Sequence, residues 1–137
     1  MKKIKYSKER LKGNLRMGLF FIIMGILLHF IPNVFENSEI KTSSVGVGQI
    51  GSGIFILIVY YFENKNQYLT LNNGTLTRNT IIPSKIKLSE IKSIRHYAGV
   101  LKLFTDQKEF DITIKNIEPN SYAELKKELK KLDVKWH

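Results

Sequence analysis

The sequence contains no cysteine. That absence excludes disulfides, thiolate metal sites, covalent haem attachment, lipoprotein acylation and cysteine nucleophiles. Its three histidines, His29, His96 and His137, are far apart, and none forms a metal-ligand spacing with neighbouring carboxylates. There is no G-x-S-x-G, no H-E-x-x-H and no glycine loop of the phosphate-cradling kind. The expectation is therefore a protein that is not an enzyme, with no catalytic residues, no metal and no cofactor. Alanine occurs only at Ala98 and Ala123. A signal peptide needs small residues at its cleavage site, and Pro32 and Phe35 stand where that site would fall.

Charge is present but segregated. The net charge of +10 and a pI near 9.8 would suit a nucleic-acid binder. However, residues 1–16 alone hold Lys2, Lys3, Lys5, Lys8, Arg10, Lys12 and Arg16 against one acid, Glu9. No formal charge follows from 17 to 35 (MGLFFIIMGILLHFIPNVF), nineteen positions. Glu36, Glu39 and Lys41 occupy the short connection 36–41, and 42–62 is again free of charge for twenty-one positions. Residues 63–137 carry fourteen bases and nine acids. The mean hydropathy of −0.14 thus averages two apolar runs with two polar segments.

Both runs reach the roughly twenty residues that a helix needs to cross about 30 Å of hydrocarbon. The expected architecture is a basic cytoplasmic tail (1–16), transmembrane helix 1 (17–35), an external connection (36–41) and transmembrane helix 2 (42–62). Cations stay on the cytoplasmic side, so both termini are expected inside. Tyr60, Tyr61 and Phe62 would anchor the inner interface. The basic N-terminus then reads as a topology signal, and no nucleic acid is expected as partner.

Small residues let helices approach closely in lipid. Gly18 and Gly25 in the first run, and Ser44, Gly48 and Ser52 at four-residue spacing in the second, are the candidate packing positions. They would serve packing within the chain or, alternatively, a homodimer. His29 and Gln49 are the strongly polar side chains deep in the runs, both about 9–10 Å from the outer boundary at about 1.5 Å per residue. They form a candidate intramembrane pair, either a structural hydrogen bond or a proton or ion site.

The remainder (63–137) reads as short strands and one helix. QYLTL (67–71) and TLTRN (75–79) flank Asn72-Asn73-Gly74, a hairpin signal. Pro83 ends or bends the second strand. Ile86-Lys87-Leu88 alternates, the phase shifts at Ser89-Glu90, and Ile91 and Ile94 follow. VLKLF (100–104) is a strand after an Ala98-Gly99 turn. Asp106-Gln107-Lys108 turns the chain into 110–115, with Phe110, Ile112 and Ile114 inward. A helix over 121–132 opens on Pro119-Asn120-Ser121. Ser121 and Glu124 match a capping box, and Tyr122, Leu125, Leu129 and Leu132 form the apolar stripe.

The segments YLTLNNGTLTRN, IKLSEIKSI and VLKLFTDQKEFDITI, closed by SYAELKKELKKL, together resemble the bacterial pleckstrin-homology-like domain, over about 66–132. That domain often follows a pair of transmembrane helices. The resemblance implies an α+β membrane protein, a transmembrane hairpin followed by a small antiparallel PH-like barrel or sheet with a C-terminal helix. About six strands are read here against seven in a full barrel. Either a strand lies unread after Phe62, or the barrel is reduced or open. The implied role is a membrane-anchored binding or scaffolding module at the inner leaflet. Lys2, Lys3, Lys5, Lys8, Arg10, Lys12 and Arg16 are its candidate contacts to anionic headgroups. The alternative is a small subunit or regulator of an envelope complex, or a homo-oligomer, acting through the spans or a sheet edge. Eighteen lysines against four arginines suggest AT-rich coding. With the resemblance, this gives a bacterial cytoplasmic membrane as the expected location.

Overall fold

The computed structural model describes residues 1–37 and 39–137. The chain forms two compact units. One is Glu9–Phe62. The other joins Met1–Lys8 to Glu63–His137.

In the first unit, two helices dominate. Helix α1 spans Lys8–Leu28 and α2 spans Thr42–Asn66. Both are long and apolar enough to cross a membrane, and only 11% of each apolar stretch is buried. The expected bounds of the first span need correction. The helix starts nine residues before 17, inside the segment read as a tail, and stops seven residues before 35. Its N-terminal half, KERLKGNLR, is composed mainly of good helix formers. Its end precedes Pro32, which disfavours helical backbone at the residue before it and supplies no amide donor. The tip is organised by side chains instead. Asn33 Oδ1 accepts from the Thr42 amide (3.2 Å), the Thr42 hydroxyl (3.2 Å) and the Phe35 amide (3.3 Å). Thr42 Oγ1 accepts from the Val34 amide at 3.0 Å. This closes the first turn of α2, where amides have no helical partner. The 36–41 connection contains residue 38, which lies outside the described residues.

The second unit has eight strands, against the six read from sequence. They are β1 (Lys2–Ile4), β2 (Leu69–Asn72), β3 (Thr75–Arg78), β4 (Ser84–Lys87), β5 (Ser93–Tyr97), β6 (Val100–Phe104), β7 (Glu109–Thr113) and β8 (Lys135–Trp136). Helix α3 (Pro119–Lys130) lies between β7 and β8. One sheet has the order β1-β2-β3-β4, the other β7-β6-β5-β8. Neighbours are antiparallel except β5 and β8, which are parallel. The two additional strands come from the chain ends, and no strand lies in the residues directly after Phe62, where α2 continues to Asn66.

Two hairpins follow local backbone rules. Asn73 and Gly74 (φ 50° and 73°) join β2 to β3, and Ala98 and Gly99 (φ 51° and 75°) join β5 to β6. Consecutive left-handed residues give the turn whose twist matches antiparallel strands. Ala98 adopts this conformation against a steric cost of about 1–2 kcal/mol. The phase shift at Ser89-Glu90 is a 3-10 turn over Leu88–Glu90. A second 3-10 turn over Ile114–Asn116 cuts short the last alternating strand, leaving Ile114 half-buried and burying Ile117 instead.

Helix α3 begins at Pro119, two residues earlier than expected. The capping box does not form. Proline at the first helical position sets the start, which puts Ser121 inside the first turn. There Ser121 Oγ donates back to Glu118 Oε2 at 3.2 Å. Leu125 and Leu129 are buried as the stripe requires.

Ile4, Leu69, Leu76, Ile86, Ile94, Leu101, Leu103, Ile112, Leu125 and Leu129 are fully buried at the centre of the core, with Tyr6, Tyr68, Ile91, Phe110 and Ile117 buried around them. The N-terminal segment is stitched on both sides. Lys2, Lys3 and Ile4 pair with Leu71, Thr70 and Leu69. Further along, Tyr6 bridges Ile117, the Ser7 amide donates to the Asn116 carbonyl (2.8 Å), and the Glu118 amide donates to the Lys5 carbonyl (3.0 Å). Tyr6 also meets Tyr68 ring to ring at 5.1 Å, and Tyr68 Oη accepts from the Thr113 amide at 3.0 Å. Ile4→Ala is expected to destabilise the β unit by about 2–5 kcal/mol, the range for deleting a fully buried aliphatic side chain. Chemical denaturation followed by tryptophan fluorescence of Trp136 in detergent checks this. A change within about 0.5 kcal/mol, the usual size for a surface substitution, would place Ile4 outside the core.

Candidate functional site

The helical hairpin closes through glycine, along a face only partly anticipated. A Cβ on Gly25 would stand 2.6 Å from the Gly46 carbonyl oxygen, and one on Gly46 would stand 2.7 Å from the Gly25 carbonyl oxygen. Gly18 and Gly53 repeat the arrangement, at 3.1 and 2.6 Å. Each pair is spaced seven residues along its helix, so the two contacts form one antiparallel seam. Gly18 and Gly25 therefore lie on the seam. Ser44, Gly48 and Ser52 do not make this contact. They are exposed, and a Cβ on Gly48 would meet nothing within 4 Å. Their four-residue spacing marks a different face of α2 from the one carrying Gly46 and Gly53. Ser52 Oγ donates to the Gly48 carbonyl of its own helix at 2.9 Å.

His29 and Gln49 are not a bonded pair. His29 lies just beyond the end of α1, and its ring edge would be 3.5 Å from a Cβ on Gly46. Gln49 is about one turn along α2 from that point, and no hydrogen bond joins the two among the described residues.

The seven N-terminal cations divide by structure. Lys2 belongs to β1, and its ammonium pairs with Glu128 Oε1 of α3 at 3.2 Å. Lys131 reaches the same oxygen at 3.0 Å. Hydrogen bonds from Lys131 first, then Lys2, hold the Glu128 carboxyl below the usual glutamate range. Lys3, Lys5, Lys8, Lys12 and Arg16 remain exposed, and Arg10 is half-buried. Nothing in the local sequence distinguishes Lys2 from the other six. The ion pair across 126 positions had no local signature.

The β unit carries two polar features that sequence reasoning did not assemble. An open cleft of about 380 Å³ is lined by Ser89, Glu90, Lys92, Thr105, Asp106, Gln107 and Lys108. Thr105 shapes its floor. Its hydroxyl accepts from the Lys108 amide (3.0 Å) and the Gln107 amide (3.3 Å) and donates to the Lys108 carbonyl (3.0 Å). Lys92 and Asp106 stand 3.8 Å apart across the rim. Lys108 Nζ donates to the Lys85 carbonyl. The second feature lies on β6 and β7. Lys102 Nζ contacts Glu109 Oε1 at 2.6 Å and Asp111 Oδ2 at 3.9 Å. The Lys102 bond lowers the Glu109 carboxyl and raises the Lys102 ammonium, while burial pushes the Asp111 carboxyl up. Arg78 Nη1 donates to the Asp111 carbonyl at 2.8 Å, and its guanidinium lies 5.1 Å above the Phe110 ring centre. Both features offer mixed charge and hydrogen bonds to a polar ligand. Neither aligns a nucleophile with a base. Among the described residues no three His, Cys, Asp or Glu side chains gather as a metal site.

Compared with known proteins, the chain matches no family model, no curated sequence and no solved structure.

Two outcomes follow from this geometry. Gly25→Leu is expected to force the helices apart, because the atoms opposite it are backbone, at a cost of about 1–3 kcal/mol or more. Gly48→Leu is expected to be neutral. Unfolding midpoints in detergent separate them, and equal effects would refute the seam. Glu128 has a lowered native pKa, so its contribution to stability is complete above the ordinary glutamate range. It is lost as pH falls through the lowered native value. Carboxyl NMR titration is expected to place its midpoint below that of an unfolded glutamate, and Lys131→Gln should move it upward.

Proposed function

We propose that this protein is a membrane-anchored binding or scaffolding module. In this reading the hairpin spans the bacterial cytoplasmic membrane with both termini inside. The β unit, a PH-like fold, is held at the inner leaflet and touches anionic headgroups. One observation carries the membrane part. The hairpin presents large apolar side chains outward along both helices, among them Phe20, Ile23, Leu27, Phe55 and Ile58, the last 60% exposed. Water-soluble monomers rarely display contiguous apolar surface on this scale, and lipid is the solvent that it fits.

Charge supports the orientation. The exposed Lys3, Lys5, Lys8, Lys12 and Arg16 all precede the apolar stretch, and positive-inside bias keeps such residues cytoplasmic. The same residues favour an anionic leaflet by about 1 kcal/mol each when close to it. The PH-like reading rests on the sequence resemblance over about 66–132, and two four-stranded sheets with α3 are compatible with it.

A fragment beginning at 64 would lack β1 and the buried Ile4, so the full chain is the proper material for tests. With no native cysteine, single cysteines report cleanly. In intact cells, Glu36→Cys is expected to react with an impermeant maleimide, and Ser89→Cys only after permeabilisation. The reverse pattern would overturn the orientation. In nanodiscs, adding phosphatidylglycerol to phosphatidylcholine is expected to raise the melting temperature of the β unit, an effect weakened by salt. An unchanged melting temperature would remove the headgroup contact.

A further inference from the structure

Between β3 and β4 the chain presents two adjacent isoleucines to solvent. Ile81 is 74% exposed and Ile82 is 83% exposed, more than any other large apolar side chain of the β unit except the terminal Met1. Isoleucines this exposed forgo most of the burial free energy that their side chains could contribute. They are also held in place. Thr80 Oγ1 donates to the Ile82 carbonyl at 2.6 Å, the Thr80 amide donates to the Arg78 carbonyl at 3.0 Å, and Pro83 closes the loop.

The loop's root is the informative part. Asn79 Nδ2 donates to the carbonyl of Asn66 at 2.9 Å and to Thr70 Oγ1 at 2.8 Å, and the Asn79 amide donates to the Tyr68 carbonyl at 2.9 Å. Asn66 is the last residue of α2. It lies four residues, about 6 Å of helix rise, beyond Phe62, where the charge-free run ends. Ile81 is two residues from Asn79, so its Cα lies within about 8 Å of that anchor at 3.8 Å per step. The headgroup zone on each side of the hydrocarbon is about 5–8 Å deep. The loop is thus fastened to the residue on which α2 ends, four residues past the charge-free run. Lys85, exposed two residues after Pro83, adds a cation suited to phosphate.

We propose that Ile81 and Ile82 form an interfacial wedge that inserts into the lipid leaflet from which α2 emerges, giving the β unit a membrane contact besides its covalent link to the hairpin. This rests on the reading that the hairpin spans a bilayer, and the test separates the two. Three single-cysteine variants of the full chain, Ile82→Cys, Ile58→Cys and Ser89→Cys, are labelled with an environment-sensitive fluorophore. They are reconstituted in vesicles of phosphatidylcholine and phosphatidylglycerol. The wedge predicts blue-shifted emission and quenching by spin-labelled lipid at Ile82→Cys and Ile58→Cys. Ser89→Cys, at the cleft, should respond to aqueous iodide alone. If Ile58→Cys responds to lipid while Ile82→Cys responds only to iodide, the wedge is overturned and the spanning hairpin stands. If Ile82→Cys is shielded from both quenchers, the loop is covered by protein and the wedge is equally overturned. If Ile58→Cys also fails to respond to lipid, the spanning reading falls and the wedge with it. Ile81→Cys repeats the measurement should one label disturb the loop.

Discussion

The pairing of β1 with β2 is the constraint on which the rest of the structure depends. Ile4 stands opposite Leu69, so sixty-four residues, 5–68, leave and return between two hydrogen-bonded strands. Closing so long a loop would be slow and costly for a flexible chain. The helices of the excursion shorten the search. α1 and α2 run antiparallel along the glycine seam, which returns the chain toward its starting point. The helical hairpin is therefore an insertion within the β unit, between its first two strands, and not a leader preceding an independent domain. The N-terminal segment contributes core to that unit through Ile4 and Tyr6, and it contributes edge pairing through Lys2 to Ile4.

The seam has a further consequence. Gly18 opposite Gly53 and Gly25 opposite Gly46 set a register in which Arg16 is level with Phe55 and Lys12 with Val59. The charge-free run of α2 continues to Phe62, so these two cations flank its last two turns. Their long stems can lie along apolar surface while the charged ends reach the headgroups. Under the proposed reading, α1 brings its positive charge into the interface itself, which strengthens the topological bias. It also shows why the charge-free runs in the sequence are poor rulers for the helices. Twelve residues, 17–28, are both helical and charge-free in α1, against twenty-one in α2.

What the sequence disclosed was local. The Asn73-Gly74 turn, strand β6 and the Leu125–Leu129 stripe are all specified by neighbours within a few positions, and each was legible. β1 was not, since three residues containing two lysines have no strand period of their own, and their partner is more than sixty positions away. β8 is shorter still and pairs in parallel. The packing face of α2 was half legible, because Ser44, Gly48 and Ser52 obey a helical spacing as well as Gly46 and Gly53 do. Only the approach of α1 distinguishes the two faces. Ser121 has the sequence signature of a cap but not the position of one, for a comparable reason. Pro119 outranks it by fixing the first turn, leaving the serine to bond backward to Glu118. The cleft is likewise assembled from a 3-10 turn and a distant hairpin, neither of which has a chemical motif.

The β2–β3 hairpin gives the β unit two unlike ends. At one, Asn79 gathers Asn66, Tyr68 and Thr70, and the exposed isoleucines project from the same loop. At the other is the Asn73-Gly74 turn, where the Gly74 carbonyl accepts from the Leu88 amide and fixes the 3-10 turn carrying Ser89 and Glu90. The apolar loop and the polar cleft are thus separated along a single hairpin about four residues long, or roughly 13 Å of strand.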